Sequence, residues 1–439
     1  MSKRSVFTYD IDNSISADKL LGLLDSEPFL FYLDSNDHQD KNGTASILVA
    51  TGARNIVRCD AGDALSELSR FRESENDWIF GWLGYDLKNE LENLESKNTD
   101  PLEFPDLMFV VPERVFQWSK GKLTIHTYED QAVIDQLIND LKSHQGKTNQ
   151  KSPEQTVRLT AQNSKNQYLK STQKFLKHIK RGDIYEANYC MSFLADDVEF
   201  DEIQAYHHLN NISKPPFSAL VRCGDFKAVS ASPERYLKNQ GNQLLSQPIK
   251  GTARRHEDPE QDEIFKKELF ENKKERSENV MIVDLVRNDL SRVAQKGSVQ
   301  VDELYGIYTF KQVHHMISSI TADLQKDKSG IDAIKATFPM GSMTGAPKVS
   351  AMKIIDENEN FKRGLYSGAI GYFDPDGNFD FNVVIRTILY NAQLRKLSFA
   401  VGSAITIEAV PEKEYEECFL KAHALLETLK KQGITLNDD

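Results

Sequence analysis

Apolar positions along the chain fall into runs, alternations and helical stripes that together predict a mixed α+β protein. Phe29-Leu30-Phe31-Tyr32-Leu33 and Leu107-Met108-Phe109-Val110-Val111 are short continuous apolar runs of the kind that form buried strands. Tyr168, Leu169, Thr172, Phe175, Leu176 and Ile179 recur at intervals of one helical turn and stop at Gly182, which predicts an amphipathic helix with a glycine C-cap. A highly charged helical stretch is expected from about Pro259 to Val293. From Gly368 to Val401 the pattern predicts an antiparallel meander with turns at Asp376-Gly377 and Asn391-Ala392. A last helix starts at Glu412 and carries Tyr415, Cys418, Phe419, Ala422, Leu425, Leu426 and Leu429 on its apolar face. Helices and antiparallel strands come in blocks, not strict alternation, so α+β is expected over a doubly wound sheet.

Between Ser143 and Asn166 the apolar content drops to little more than Val157, Leu159 and Ala161, as in an exposed connection. The expected division is an N-terminal α+β region at 1–142, a polar connection at 143–166 and a second domain at 167–432. Within the connection, Gly146-Lys147-Thr148 has Leu141 where a phosphate loop requires its first glycine, so that motif is excluded.

Composition narrows the function classes. With 439 residues, 39% apolar and 27% charged, the chain has the make-up of a soluble globular protein and enough length for a sizeable core. Its formal charge of −12, with no local basic cluster, argues against a nucleic-acid partner. Cys59, Cys190, Cys223 and Cys418 are scattered without CxxC spacing, which argues against a disulfide framework or a structural zinc site. The first residues lack an apolar signal core and no stretch is long and apolar enough for a bilayer, so a cytoplasmic location is expected.

Several segments could carry chemistry. In Pro248-Ile249-Lys250-Gly251-Thr252 a lysine stands beside a glycine, where it can approach a ligand closely; a surface turn is the plain alternative. Lys250 is a nucleophile only where neutral amine is available. Ser230-Ala231-Ser232-Pro233-Glu234-Arg235 places a carboxylate after a proline-fixed turn. If 275–285 is helical, Glu278, Ile282, Leu285 and Asp289 share one face, so Glu278 sits on an apolar stripe and needs a cation, a proton or strong donors. A salt bridge competes evenly with a metal there. Glu417 and Lys421 stand one helical turn apart, either as a solvated bridge or as a metal ligand beside a substrate cation. Gly341-Ser342-Met343-Thr344-Gly345-Ala346-Pro347-Lys348 joins a glycine-rich loop to a helix start, with Pro347 near the first helical position, and tilts toward anion binding. Arg386 alternates with Val384 and Ile388 on a strand and should face inward toward a carboxylate or phosphate. His315 taken alone is a structural histidine.

In their order, Pro-Ile-Lys-Gly-Thr, the Glu278–Leu290 run, Gly-Ser-Met-Thr-Gly-Ala-Pro-Lys and Glu-Tyr-Glu-Glu-Cys-Phe-Leu-Lys resemble the chorismate-utilising enzymes. The resemblance is strong from Asn166 to Leu429 and weaker in Gly81-Trp82-Leu83-Gly84-Tyr85-Asp86. It implies the anthranilate synthase component I-like fold, large antiparallel sheets flanked by helices, with 167–432 as the chorismate-binding catalytic domain. Lys250, where anthranilate synthases have alanine, implies the aminodeoxychorismate synthase branch, with anthranilate synthase component I as the nearest alternative. A non-catalytic regulatory subunit binding chorismate or tryptophan is the alternative of another class, and intact Glu234, Lys250, Glu278 and Glu417 argue against it.

By this resemblance the Lys250 amine attacks C2 of chorismate while Glu234 protonates the departing C4 hydroxyl; ammonia then adds at C4 and expels the lysine. Glu278 and Glu417 would hold Mg²⁺ on the ring carboxylate. Gly251, Thr252, His315, Ser342, Thr344, Gly345, Arg386, Gly402 and Lys421 would line the substrate. None of the cysteines lies in a glutaminase elbow, so a separate glutamine amidotransferase, or free ammonia, is the expected nitrogen source. The product would feed 4-aminobenzoate and folate synthesis. Three positions depart from the family pattern: Glu186 where the aminating branches usually have glutamine, Met340, and Ser403. Leu23-Leu24-Asp25-Ser26 distantly resembles the tryptophan-site segment of anthranilate synthases, and the end of a buried helix explains it equally well.

Overall fold

The computed structural model describes residues 3–11, 15–38, 46–119, 121–144 and 154–437. Apolar runs become strands whose alternate residues enter different cores: in Phe29–Asp34, Phe31 faces one and Leu30 and Tyr32 the other. Among the described residues a sheet of thirteen strands carries, in consecutive places, Phe29–Asp34, Phe217–Cys223, Phe226–Ser232, Thr387–Asn391, Lys396–Ile405 and Glu186–Ala195. A second sheet of ten strands runs from Ile249–Arg254 and Val313–Asp323 through Gln243–Gln247, Arg235–Gln240, Phe379–Asn382 and Ala369–Phe373 to Ile79–Leu83. The two share one core, to which Phe31, Ala50 and Val221 come from the first sheet and Phe80, Trp82, Phe109 and Phe381 from the second.

Helices cover the outer faces. Lys165–Arg181 and Pro411–Lys430 bury Tyr168, Phe175, Cys418 and Leu425 against the first sheet. Ser164 and Gln167 form a capping box at the start of the former, and Gly182, at φ 86°, ends it as the sequence predicts. Lys273–Ser291 packs Ile282, Val283 and Val286 beneath the second sheet. The architecture is α+β.

Several expectations are corrected. The 143–166 connection is not wholly irregular: Val157–Ala161 pairs in parallel with Ile434–Leu436, because Leu159 can bury against the last helix while its neighbours stay wet. Residues 145–153, including Gly146-Lys147-Thr148, lie outside the described residues. Both sheets contain strands from before and after this connection. The charged helical stretch is two helices, Pro259–Glu271 and Lys273–Ser291, divided at Asn272, whose side-chain oxygen accepts from the Lys274 and Glu275 amides. Pro347 does stand beside the first helical position: it is the N-cap, and the helix begins at Lys348.

The Gly368–Val401 meander is two hairpins in different sheets: Ala369–Phe373 with Phe379–Asn382 in one, Thr387–Asn391 with Lys396–Ile405 in the other. The chain crosses between sheets through Val383–Arg386, and Arg386 therefore lies in the crossing, not on a strand. Pro233-Glu234 makes the opposite crossing, from Phe226–Ser232 to Arg235–Gln240. The crossings lie side by side: the Val383 amide donates to the Glu234 carbonyl at 3.0 Å, the Ala231 amide to the Arg386 carbonyl at 3.0 Å, and Ser232 Oγ to the Val383 carbonyl at 2.6 Å.

One buried ion pair ties the glycine-rich loop to the first sheet. Arg363 donates to Glu359 (2.5 and 2.8 Å), to the Met343 carbonyl (2.7 Å) and to the Asn188 carbonyl (2.9 Å), while Glu359 accepts from the Cys190 amide at 2.9 Å. Removing one member of a buried pair strands the other's charge, so Arg363→Met is expected to cost about 3–5 kcal/mol in urea denaturation. Arg363→Met with Glu359→Gln should recover part of that loss; a neutral single mutant would show that the pair does not hold the loop.

Candidate active site

The two crossings set Glu234 and Arg386 at the same end of the sandwich as the Ile249–Arg254 strand, the first part of Val313–Asp323, the start of Glu186–Ala195 and the helix Lys273–Ser291. Lys250 is 9% exposed, and its Nζ stands 2.5 Å from Glu186 Oε1. Burial pulls the Lys250 pKa down, but Glu186, Glu278 and Glu234 outweigh it and hold the amine above the ordinary lysine value. The nitrogen faces these carboxylates and is held as an ammonium ion, not as the neutral amine a nucleophile requires.

Glu234 is buried, and loss of solvation pushes its carboxyl up to about 7 against the opposing pull of the Ser342 hydroxyl, Lys250, the Ile249 backbone and Arg386. Arg386 adopts φ 51°, a left-handed conformation that costs a non-glycine residue of order 1 kcal/mol. Burial pushes its guanidinium down to about 10, still cationic at neutral pH, with Glu234 as the opposing charge. Arg386 Nη2 is 3.4 Å from His315 Nε2, and His315 Nδ1 is 2.9 Å from Thr252 Oγ1. Burial first, and Arg386 second, drive His315 well below its usual pKa. A neutral imidazole that accepts from Arg386 carries its proton on Nδ1, toward Thr252.

The glycines are dictated by close approach. Gly345, at φ 153°, pairs with Ala187, and a Cβ there would lie 2.1 Å from the Glu186 carbonyl oxygen. Gly251, at φ 89°, lies against Glu275 and Leu269. Gly402 pairs with Cys190, and its carbonyl accepts from Lys421 Nζ at 2.8 Å. Ser342 is buried beside Glu234. Thr344 is fully buried, and its hydroxyl faces the Met340 and Gly341 carbonyls, both at 3.3 Å, so it holds the loop's own shape. Lys348 closes the loop from behind, paired with buried Asp289 at 2.5 Å.

Two helices contribute a carboxylate cluster. Glu278, pushed up to about 7 by burial, has Thr406 Oγ1 at 3.5 Å and Lys274 Nζ at 3.7 Å. Burial also raises Glu417, but Lys421 at 2.8 Å, with Lys250 and Lys274, outweighs it and keeps Glu417 below the ordinary range. Glu275 and Glu414 are both raised, chiefly by burial. This all-oxygen donor set of four glutamates, against the three nearby lysines Lys250, Lys274 and Lys421, fits a hard divalent cation. Among the described residues no three or more His, Cys, Asp or Glu converge in ligating geometry.

The structure thus brings all the anticipated site residues to one region and adds Glu186, Lys274, Glu275 and Glu414. The Glu-x-x-Glu spacings at 275/278 and 414/417 were the available signal, since residues three apart share a helix face. Apart from this cluster, a cavity of about 700 Å³ lies between the sheets, lined by Leu33, Asp34, Ser35, Phe217, Arg235 and Tyr372 among others. Leu23-Leu24-Asp25-Ser26 does not reach it: that segment ends a short helix, and the Asp25 carbonyl accepts from Arg222.

The chorismate binding enzyme family model matches residues 27–427. An anthranilate synthase component I-like protein of Synechocystis is 37% identical over 80% of this chain and 72% of its own length. Aminodeoxychorismate synthase component 1 of Bacillus subtilis is 34% identical over 80% of this chain and 76% of its own. The crystal structure of anthranilate synthase component I from Streptococcus pneumoniae superposes with a TM-score of 0.72, at 24% identity, over 96% of this chain and 91% of that one.

Burial raises the folded-state value of Glu234 from 4.5 to about 7, so protonation favours the folded protein: the contribution is complete below about pH 4.5 and is lost as pH rises through 7. Glu234→Gln removes the penalty of a buried charge. It is expected to be about 1–3 kcal/mol more stable than the parent in urea at pH 8.5, the difference shrinking toward pH 5. Equal stability at both pH values would show that Glu234 is not held in a desolvated environment.

Proposed function

The chain belongs to the chorismate-binding enzyme family, and from that premise we propose that it is an aminating component I of the aminodeoxychorismate synthase type, converting chorismate and ammonia to 4-amino-4-deoxychorismate. The observation that carries this reading is Lys250: a buried primary amine on a strand, with its nitrogen in the carboxylate cluster and near Glu234. Anthranilate formation needs no amine at that position, whereas a covalent lysine route requires one.

The residues divide the work. Lys250 Nζ attacks C2 of the ring, and Glu234, with a carboxyl titrating at about 7, is protonated often enough at neutral pH to donate to the departing C4 hydroxyl. Ammonia then adds at C4 and the lysine leaves C2. Arg386, oriented through His315, and Lys421, held by the Gly402 carbonyl, offer cations to the two substrate carboxylates. Glu278 and Glu417 would hold Mg²⁺, which when bound supplies positive charge to the ring carboxylate. Component 1 names among the relatives support a partner component, here a glutamine amidotransferase delivering ammonia. The product would lead to 4-aminobenzoate and folate.

The Synechocystis relative's name favours anthranilate synthase as the second reading. Incubation with chorismate, ammonium and Mg²⁺ separates the two by product mass and fluorescence. Aminodeoxychorismate should form, and Lys250→Ala should lose at least about 1,000-fold in rate together with the Lys250-dependent mass adduct. Anthranilate as the main product, or an undiminished Lys250→Ala, would overturn the assignment.

A further inference from the structure

The Lys250 amine is protonated in the resting protein, yet the proposed reaction needs its lone pair. Some group must take the proton before C2 is attacked, and a proton acceptor has to lie within hydrogen-bond reach of Nζ. Among the described residues one side chain meets that condition: Glu186, whose Oε1 is 2.5 Å from Nζ. Glu234 and Glu278 act on the amine through space, without such a contact.

Glu186 is arranged to accept. It is 1% exposed at the first position of the Glu186–Ala195 strand, with its backbone paired to Ala346. Its second carboxylate oxygen, Oε2, is buried, and no donor among the described residues reaches it. A buried carboxylate kept as a permanent ion is normally saturated with donors; this one has a single partner, the ammonium itself. In a dry site the neutral amine–acid pair competes with the ion pair, because transfer removes two desolvated charges at once.

We infer that Glu186 is a catalytic residue, the general base that takes the proton from Lys250 and generates the nucleophile. This inference rests on the amination reading above. The step is a single proton transfer: the Nζ–H bond breaks, an O–H bond forms on Glu186, and the nitrogen lone pair is released toward C2. When ammonia later displaces the lysine, the departing amine can recover that proton from Glu186, so the pair returns to its starting state with no net consumption. The charged groups around the pair are Glu234 on the inter-sheet crossing, Glu278, Glu275 and Lys274 on the Lys273–Ser291 helix, Glu417 and Lys421 on the last helix, and Arg386.

Glu186→Gln keeps the shape and removes the base. It is expected to lower kcat for ammonia-dependent amination about 100-fold or more at pH 7.5, to slow formation of the Lys250 adduct in intact-protein mass spectrometry to the same degree, and to regain rate as pH rises and Lys250 deprotonates unaided. In Glu186→Ala, formate should restore part of the rate, because it can occupy the vacated carboxylate position; a merely structural role would respond to neither pH nor formate. A Glu186→Gln enzyme at the parental rate with an unshifted pH profile overturns the proposal. So does a loss that persists at every pH together with no formate rescue of Glu186→Ala. Failure of the amination reading itself is seen separately, as a parental protein that forms no Lys250 adduct.

Discussion

A lysine ammonium enclosed by carboxylates is the constraint around which the site is organised. In water such an attraction is worth little, but Lys250 lies where solvent is nearly excluded, so each nearby charge counts for more. Burial alone would neutralise the amine; three carboxylates reverse that outcome. They are not stabilised equally. Glu234 and Glu278 are held near neutrality by desolvation, so modest changes in local charge can switch their protonation. A site poised in this way can hold a proton on one carboxyl and offer an empty oxygen on another.

The fold supplies this poise by letting the chain change sheets twice at one place. Ordinary strands would send alternate side chains into one core or the other, and neither core can accept Glu234 or Arg386. At the crossings, alternation stops. Pro233 stiffens one passage, and the other is held by backbone hydrogen bonds to it, so both charged residues project into the space between sheet ends. The positive φ of Arg386 shows what this costs: a conformation of order 1 kcal/mol above the alternatives, retained because the surrounding hydrogen bonds determine it.

Much of this was legible in the sequence, and the failures have specific causes. Lys165–Arg181, Pro411–Lys430 and Leu107–Val111 follow from periodicity because each buries one face or both faces against a neighbouring layer. The split at Asn272 was hidden because charged helical pattern runs on both sides of it, while the decisive event is a side-chain cap. Arg386 was misplaced on a strand because alternation of Val384, Arg386 and Ile388 is the same signal whether the chain stays in one sheet or leaves it. The site residues were recognised as an ordered set of motifs, but their distances could not be. The 2.5 Å contact between Lys250 and Glu186 joins positions 64 residues apart, on strands of two different sheets, and no local pattern encodes it.

That long-range contact also explains why Glu186 can matter more than its exchange for glutamine suggests on paper. Glutamine in the same place could bond to an amine, but it offers the ammonium no negative charge and cannot take up its proton. With glutamine, Glu234 and Glu278 alone would oppose the burial of Lys250, and no side chain within reach of Nζ could take its proton. With glutamate, the amine is held charged, and a carboxylate oxygen able to take its proton lies in the same contact.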